Sequence, residues 1–179
     1  MNDYVAEKFI KSYDDYADQL FRFALFRTRH REVARDLVQD SFIRTWDYLA
    51  KGNNIDNFRA FLYRTLRNII IDESRKKKTV SLNALQEEGF DPSDDFRKTD
   101  LEFRLDSKNI VDKLSELPED DRDIVVMRYI NELRPKEIAE ILGESENVVS
   151  VRINRALKRA RELLNTPDQV SRVSNSLRS

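Results

Sequence analysis

The feature that most restricts the fold of this chain is its shortage of helix-breaking residues. Only 3 Gly and 4 Pro occur in 179 residues, whereas charged side chains make up 36% of the sequence. A chain with so few breakers and so much charge is typical of helical proteins. The absence of Cys excludes a disulfide framework and Cys-based zinc sites. The sequence therefore predicts an all-α fold.

No segment of the chain is suited to export or to a membrane. The first residues, MNDYVAEKFIKSYDDYADQ, lack an apolar core of signal-peptide length. No window approaches the roughly 20 apolar residues that a membrane-spanning helix needs. We therefore expect a cytoplasmic protein that does not insert into a membrane.

Hydrophobic periodicity predicts a first helical domain over residues 1–78. Apolar residues recur at helical spacing in three stretches, which lie at about 3–29, 31–51 and 58–78. A break in the first helix is expected near Ser12, where a capping residue coincides with a shift in the pattern. Gly52 is expected to end the second helix, because a left-handed residue commonly follows a helix C-terminus.

An acidic stretch separates this domain from a second one. Residues 79–107 carry eight acidic and three basic side chains, whereas residues 52–78 carry seven basic and three acidic ones. The helical pattern fades in the acidic stretch, so we expect a flexible linker there. The pattern resumes over residues 108–165, where Pro118 opens one helix, and a polar tail covers residues 166–179. The prediction is two small helical domains joined by an acidic linker.

The stretch EIAEILGESENVVSVRINRALKR has the layout of a helix-turn-helix. Pro135 can begin a short helix without losing a hydrogen bond, Gly143 permits a tight turn, and Ser145 can cap a longer helix. Between residues 148 and 161 the longer helix carries five basic side chains and no acidic one. Apolar residues every three or four positions from Val149 predict the buried side of this helix.

The opposite side of that helix carries side chains that can read DNA. Arg can bond guanine through two hydrogen bonds, Asn can bond adenine, and Lys or Arg can hold phosphates. The candidate DNA contacts are Asn147, Ser150, Arg152, Asn154, Arg155 and Lys158. Taken alone, the motif could also be an ordinary helical hairpin with a solvated basic face.

A second basic face is predicted on the helix that begins near Phe58, with Asp56 or Asn57 as its cap. At about 100° per residue, its apolar and basic side chains fall on opposite sides. The loop before it offers amides that could bond the edge of an unstacked base. The candidate contacts of this loop and helix are Asn53, Asn54, Arg64, Arg67, Asn68 and Arg75. A solvated amphipathic helix is the alternative.

The helix over residues 31–51 carries an acidic face instead. Its buried side is expected to contain Leu37, Val38, Phe42, Trp46 and Leu49. Its opposite side carries carboxylates around one apolar side chain, and comprises Asp36, Gln39, Asp40, Ile43 and Asp47. A small apolar spot within a charged rim is common at protein interfaces. The alternative is a solvated acidic face with a single exposed Ile.

Together these motifs resemble a bacterial RNA polymerase sigma factor of the sigma-70 family, of the extracytoplasmic-function (ECF) type. Residues 34–78 resemble the domain that binds core polymerase and the promoter −10 element. Residues 114–164 resemble the helix-turn-helix domain that reads the −35 element. Two stretches in this order, joined by a linker, make a more specific match than either stretch alone.

The resemblance implies roles at matching positions. The motif DLVQD would place Asp36, Gln39 and Asp40 against the clamp helices of the largest polymerase subunit. The loop at residues 51–57 would form a pocket for a flipped −10 base. The −10 helix would contribute Asn68 and Arg75, and the −35 helix Ser150, Arg152, Asn154 and Arg155.

We therefore expect core RNA polymerase and promoter DNA as partners, an anti-sigma factor as a further candidate, and no cofactor. An enzyme is not expected, because His30 is the only His and the chain has no Gly-rich phosphate loop. Two other classes stay open. A stand-alone helix-turn-helix regulator would need a self-association surface, for which we see no heptad run. A helical adaptor would leave both basic faces unexplained.

The charge of the linker leads to one more expectation. An acidic, flexible segment between two basic domains can fold back on them in the free protein and shield them from DNA. A passive tether, whose charge keeps it soluble and extended, is the alternative.

Overall fold

The computed structural model describes residues 3–80 and 112–165, and every regular element within them is helical. The helices are α1 Asp3–Thr28, α2 Arg31–Ala50, α3 Phe58–Val80, α4 Glu119–Val125, α5 Pro135–Leu142 and α6 Glu146–Asn165. A π-helical segment, Val126–Ile130, continues α4, and a helical turn lies at residues 112–115. The all-α prediction is confirmed. Most of the predicted linker and the polar tail lie outside the described residues.

The first helix is more continuous than the sequence predicted. α1 runs through Ser12, which is buried and donates its hydroxyl hydrogen bond to the Phe9 carbonyl at 2.6 Å. Because this hydroxyl is satisfied inside the helix, it does not cap a new one, and the predicted break is wrong. Tyr13, which lies on the expected apolar side, is 55% exposed.

Local signals explain the ends of α2 and α3. His30 caps α2, because its Nδ1 accepts a hydrogen bond from the Val33 N–H at 3.4 Å. Gly52 has a left-handed φ of 84°, which glycine adopts at little cost, and the predicted end of α2 is confirmed. Asn57, one of the two predicted caps, accepts a hydrogen bond from the Ala60 N–H at 3.1 Å.

Helices α1, α2 and α3 pack together as a three-helix unit. The largest fully buried side chains of this unit are Leu20, Phe23, Leu62, Tyr63 and Leu66. Trp46 was expected in the core but is 36% exposed. It lies at the edge of the unit, with its ring centroid 5.0 Å from that of Phe9.

The second unit folds around α6, against which both α4 and α5 pack. The buried stripe of α6 is the predicted one, and comprises Val149, Ile153, Ala156 and Ala160. Gly143 takes a left-handed φ of 69° between α5 and α6, as the tight turn requires. Ser145 then accepts a hydrogen bond from the Val148 N–H at 3.4 Å, so the predicted cap is confirmed.

The two units pack on each other, an arrangement that the sequence analysis did not predict. α3 packs against α5, and α1 contacts the π-helical segment, so that one hydrophobic cluster contains residues of both units. Asn131 follows the π-helical segment and is buried. Its Nδ2 donates to the Tyr63 hydroxyl at 2.7 Å and to the Gln19 carbonyl at 3.0 Å. The fold is a closed pair of helical units with buried polar contacts between them.

Candidate nucleic-acid and protein interfaces

The outward face of α6 is open to solvent. Most of its predicted DNA contacts are exposed, namely Asn147, Asn154, Arg155 and Lys158, while Ser150 is half-buried. Val148 and Val151 are also about half exposed, at 49% and 50%. The buried stripe of α6 packs on α4 and α5, and the remaining side of this helix has no neighbouring helix among the described residues. The helix-turn-helix therefore presents a long polar and basic surface.

Two basic residues of α6 are held by carboxylates of their own unit. Arg152 pairs with Glu144 in the turn before α6, which leaves Arg152 half-buried. Arg159 pairs with Asp121 in the first turn of α4. Within the described residues, the Arg155 side chain forms no ion pair or hydrogen bond. Of the predicted −35 contacts, Arg152 is therefore already paired with a carboxylate, whereas Arg155 is available to bind an anion.

The basic face of α3 is partly covered by the second unit. Nη1 of Arg59 donates to Oε1 of Glu137 at 2.7 Å. Nη2 of Arg64 donates to the backbone carbonyl of Glu140 at 2.6 Å, and Nδ2 of Asn57 donates to the Glu140 carboxylate at 2.9 Å. Of these three residues, Arg64 is a predicted DNA contact, and here it bonds α5 while its side chain stays exposed.

Asp123 is the buried centre of this contact, with 1% of its surface exposed. Its Oδ2 accepts a hydrogen bond from Nε of Arg67 at 3.0 Å, and its Oδ1 lies 3.4 Å from Nε of Arg27. Arg67 also bonds Asp120 at 2.7 Å, and Arg27 bonds Glu119 at 3.2 Å. Burial raises the pKa of Asp123, while the guanidiniums of Arg27 and Arg67 act in the opposite direction. These arginines offset much of the cost of burying the carboxylate.

The other residues of the predicted −10 surface are exposed, namely Asn53, Asn54, Asn68 and Arg75. The side-chain amide of Asn53 donates to the Tyr48 carbonyl at 3.0 Å, which ties the loop to the end of α2. The structure therefore leaves the loop and much of α3 accessible, while Arg67 is half-buried and the exposed Arg64 is bonded to α5.

The acidic face of α2 points away from the rest of the chain. Asp36, Gln39 and Ile43 are exposed, and Ile43 has 53% of its surface accessible. Asp40 is half-buried and pairs with Arg44 one turn later, at 2.9 Å. The four residues of the predicted protein-binding face thus lie on one helix, with an apolar side chain among polar ones.

An open groove of about 920 Å³ lies between α1 and α2, next to this acidic face. Gln39 and Ile43 line it together with the aromatic side chains of Phe9, Tyr13 and Trp46. The sequence analysis missed this groove because it placed Trp46 on the buried side of α2. Tyr13 and Trp46 fit a helical apolar pattern, and the pattern alone does not reveal that no third helix among the described residues covers them.

The described residues contain neither of two other kinds of site. No group of three or more His, Asp or Glu side chains in 3–80 and 112–165 is placed to hold a metal ion. In the same ranges, no helix is both long and apolar enough to cross a membrane. His30, the only His, serves as the cap of α2, a role that the sequence analysis did not foresee.

A helix-turn-helix with an exposed basic face, joined to a second helical unit, defines a helical DNA-binding protein. The family follows from comparison with known proteins. The model described as Sigma-70 region 2 matches residues 12–80, and the one described as Sigma-70, region 4 matches residues 107–159. RNA polymerase sigma factor SigV of Bacillus subtilis is 29% identical over 159 residues, which cover 86% of this chain and 89% of that protein.

A second relative and two solved structures agree. ECF RNA polymerase sigma factor SigL of Mycobacterium tuberculosis is 29% identical over 150 residues, 83% of this chain and 84% of that protein. Sigma factor RpoE from Bartonella quintana, solved with the anti-sigma factor NepR, matches with a TM-score of 0.71 and 22% identity. The match covers 90% of this chain and 99% of that chain. CnrH, solved with the cytosolic domain of CnrY, matches with a TM-score of 0.68 and 24% identity over 91% of both chains. The chain belongs to the sigma-70 family of RNA polymerase sigma factors, and to its ECF type.

Proposed function

We propose that this sigma factor directs core RNA polymerase to promoters by means of three surfaces. The acidic face of α2 binds the polymerase, the loop at residues 51–57 and the basic face of α3 bind the −10 element, and α6 binds the −35 element. The observation that carries the proposal is the exposed face of α6, where Asn154, Arg155 and Lys158 stand opposite a fully packed stripe.

The chemistry of α6 suits a DNA major groove. Arg155 and Asn154 have the donors that read guanine and adenine edges, and Lys158 is placed to hold a phosphate. The exposed side chains of Val148 and Val151 add apolar surface that suits thymine methyl groups. Arg152, held by Glu144, would contact DNA only after exchanging that carboxylate for a phosphate or a base.

The chemistry of the loop before α3 suits an unstacked base. No aromatic side chain occurs in residues 51–57, so hydrogen bonds to base edges would supply most of the selectivity. Asn54 is exposed, while the amide of Asn53 is used within the loop. We assign the direct base contact to Asn54 and the shaping of the pocket to Asn53.

The face of α2 suits a protein partner. Asp36 and Gln39 surround the exposed Ile43, and charged groups around an apolar spot favour a specific orientation of the partner. A transcription initiation factor with these surfaces works in the cytoplasm, where we place this protein. RpoE was solved with an anti-sigma factor, and we propose such a factor as a further partner of this chain.

The test is transcription in vitro with purified core polymerase and a library of promoters. The chain should start transcripts from a subset of promoters that share −10 and −35 sequences. Core polymerase without the chain should start none of these transcripts. A chain that binds duplex DNA specifically by itself, and starts no transcript with the polymerase, would favour the stand-alone regulator instead.

A charge-reversal pair tests the assignment of α2. Asp36→Lys with Asp40→Lys should abolish the pull-down of core polymerase while the fold is kept, because Asp36 is exposed and Asp40 is half-buried, with only a surface pair to Arg44. Glu7→Lys with Asp14→Lys makes the same change of charge on exposed positions of α1, and should leave binding intact. Equal pull-down by the α2 pair and the wild type would refute the assignment.

A further inference from the structure

An aromatic side chain lies beside the loop that we propose to bind the −10 element, although none lies within that loop. Tyr48 belongs to the last turn of α2, just before the loop at residues 51–57 begins. We infer that the ring of Tyr48 is the surface on which the unstacked −10 base stacks, next to the side-chain amide of Asn54. This assignment rests on the proposed function of the loop, and it adds a residue that the sequence analysis did not name.

The ring of Tyr48 is held where the loop leaves α2 and enters α3. Its centroid lies 4.8 Å from that of Phe61, and the two ring planes are inclined by 39°. Phe61 lies in the first turn of α3, so this aromatic pair joins the two helix ends between which the loop runs. A ring that is already fixed by a neighbour loses little conformational entropy when a base stacks on it.

Tyr48 keeps an accessible surface although Phe61 packs against it. The residue is 38% exposed, whereas Leu49, the next residue of α2, is 4% exposed and belongs to the core. Because Phe61 lies against one side of the ring, the accessible surface can receive a second planar group. Nucleic acid bases stack on tyrosine rings, and aromatic groups pair in offset or inclined arrangements.

The loop is bonded to the same turn of α2. Nδ2 of Asn53 donates to the Tyr48 carbonyl at 3.0 Å. The backbone N–H of Gly52 donates to the Leu49 carbonyl at 2.9 Å, and Gly52 has a left-handed φ of 84°. These contacts fix the start of the loop against the last turn of α2, and the exposed Asn54 follows directly. An amide that can read a base edge is thus anchored close to a ring that can hold a base face.

A cation completes the set of groups that one nucleotide can contact. Lys51 lies three positions after Tyr48, so the two side chains share one face of the helix end. Lys51 is exposed, and within residues 3–80 and 112–165 its side chain forms no ion pair or hydrogen bond. An ammonium group in this position can hold the phosphate next to a stacked base. The base face, the base edge and the phosphate would then meet Tyr48, Asn54 and Lys51 respectively.

The two contacts to the base make different contributions. Every base has an aromatic face, so stacking on a ring holds a base without selecting it. Hydrogen bonds to the edge of an unstacked base distinguish one base from another. We therefore expect Tyr48 to determine how firmly the unstacked base is held, and Asn54 to determine which base is accepted.

Transcription in vitro with core polymerase, on promoters that the wild type recognises, tests this assignment. Tyr48→Leu keeps an apolar side chain at the edge between α2 and α3 but removes the ring, and should lower transcription by about tenfold. The loss should be similar for every base at the position that the loop binds, whereas Asn54→Ala should change the preferred base. Tyr48→Phe keeps the ring and should transcribe like the wild type. Tyr129→Ala removes another exposed ring, 46% accessible in the second unit, and should also leave transcription unchanged.

Removal of the base separates stacking from a role in the fold. An abasic site is placed at each −10 position of the non-template strand in turn, and one position should lower transcription by the wild type. On that promoter Tyr48→Leu should cause no further loss, because no base is left to stack. A tenfold loss that persists there would show that Tyr48 only supports the fold, and would overturn the assignment.

The same experiments separate this assignment from the proposed function. If the wild type transcribes and Tyr48→Leu matches it on intact promoters, the stacking role is overturned while the sigma function stands. If the wild type itself starts no transcript with core polymerase, the proposed function fails, and the stacking role fails with it.

Discussion

The two basic helix faces of this protein look alike in sequence and differ in the structure. The face of α6 is exposed, and its Arg155 has no partner within the described ranges. The face of α3 is partly covered, and its Arg59, Arg64 and Arg67 bond oxygens of the other unit. A run of basic residues therefore indicates that a face binds anions. It does not indicate whether the anion is a DNA phosphate or a carboxylate of the same chain.

The two basic faces differ because different elements pack next to α6 and α3. α6 packs its apolar stripe on α4 and α5, so its basic side has no helix above it. α3 packs its apolar stripe on α1 and α2, but its other side meets α5 and the acidic start of α4. Acidic residues are favoured at that start by the helix dipole, and three of them, Glu119, Asp120 and Asp121, occur in its first turn. A local preference for carboxylates thus supplies one counter-charge to α3, since Asp120 pairs with Arg67, while Glu119 pairs with Arg27 and Asp121 with Arg159.

The largest effect on stability is expected from Arg67→Ala. It should lower the free energy of unfolding by roughly 2–3 kcal/mol, because Asp123 would stay buried with one of its two pairing arginines removed. Urea unfolding followed by circular dichroism measures this change. Transcription from −10-dependent promoters should fall as well. An unfolding curve that matches the wild type would show that the buried contact between the units does not form in solution.

The corresponding change on the open face is Arg155→Ala. Its effect on unfolding should stay within about 0.5 kcal/mol, because the side chain is exposed. Its effect on transcription should be a loss worth about 1–3 kcal/mol that is confined to one base pair of the −35 element. Promoter variants at each −35 position reveal which base is read. A uniform loss at all promoters would show that Arg155 contacts a phosphate rather than a base.

Tyr63→Phe tests the polar contact beneath the covered face. The phenol accepts a hydrogen bond from Asn131, which keeps its other bond to Gln19, so the loss should be about 1 kcal/mol. Burial raises the pKa of the Tyr63 hydroxyl, so it stays neutral in the folded protein. Tyr129→Phe, at a site that is 46% exposed, should change the unfolding free energy far less. Equal effects of the two changes would show that the hydrogen bond between Asn131 and Tyr63 does not contribute to stability.

The smallest effect is expected from Asp120→Asn. The Asp120 side chain is 64% exposed, and such surface pairs contribute about 0.5 kcal/mol or less. Added salt should remove even this difference, because exposed charges are screened. Unfolding of wild type and variant at low and high salt measures both effects. A larger, salt-independent loss would show that Asp120 is desolvated when the two units close.

The sequence predicted most of the helices because their ends carry local signals. Gly52, Asn57, Gly143 and Ser145 act as expected, since caps and left-handed turns depend on residues a few positions away. The candidate site of α6 was predictable for the same reason, because its buried stripe and its polar side follow from one periodicity. Its role in reading DNA is still a prediction.

Apart from the wrong break at Ser12 and the unforeseen cap at His30, which are local, the errors and omissions involve contacts between elements distant in the chain. Tyr13 and Trp46 fit an apolar pattern but line a groove, because no described helix covers the edge between α1 and α2. The pairing of Arg67 with Asp123, 56 positions apart, has no local signal. The predicted shielding of the basic faces by the acidic linker concerns residues outside the described ranges and stays a prediction. Within the described part, oxygens of α4 and α5 bond Arg59, Arg64 and Arg67 of α3.

The π-helical turn at Val126–Ile130 fixes how the helices after it are oriented relative to α4, so a change in the number of residues here would alter that orientation. Asn131 N–H bonds the Val126 carbonyl five positions back, at 3.0 Å, so this turn contains one residue more than an α-helical turn. Loss of one residue here would rotate everything that follows by about 100° relative to α4. Asn131 would then miss Tyr63, and α5 and α6 would begin from a different direction. This one extra residue therefore sets both the orientation of the helix-turn-helix relative to α4 and the fit between the two units.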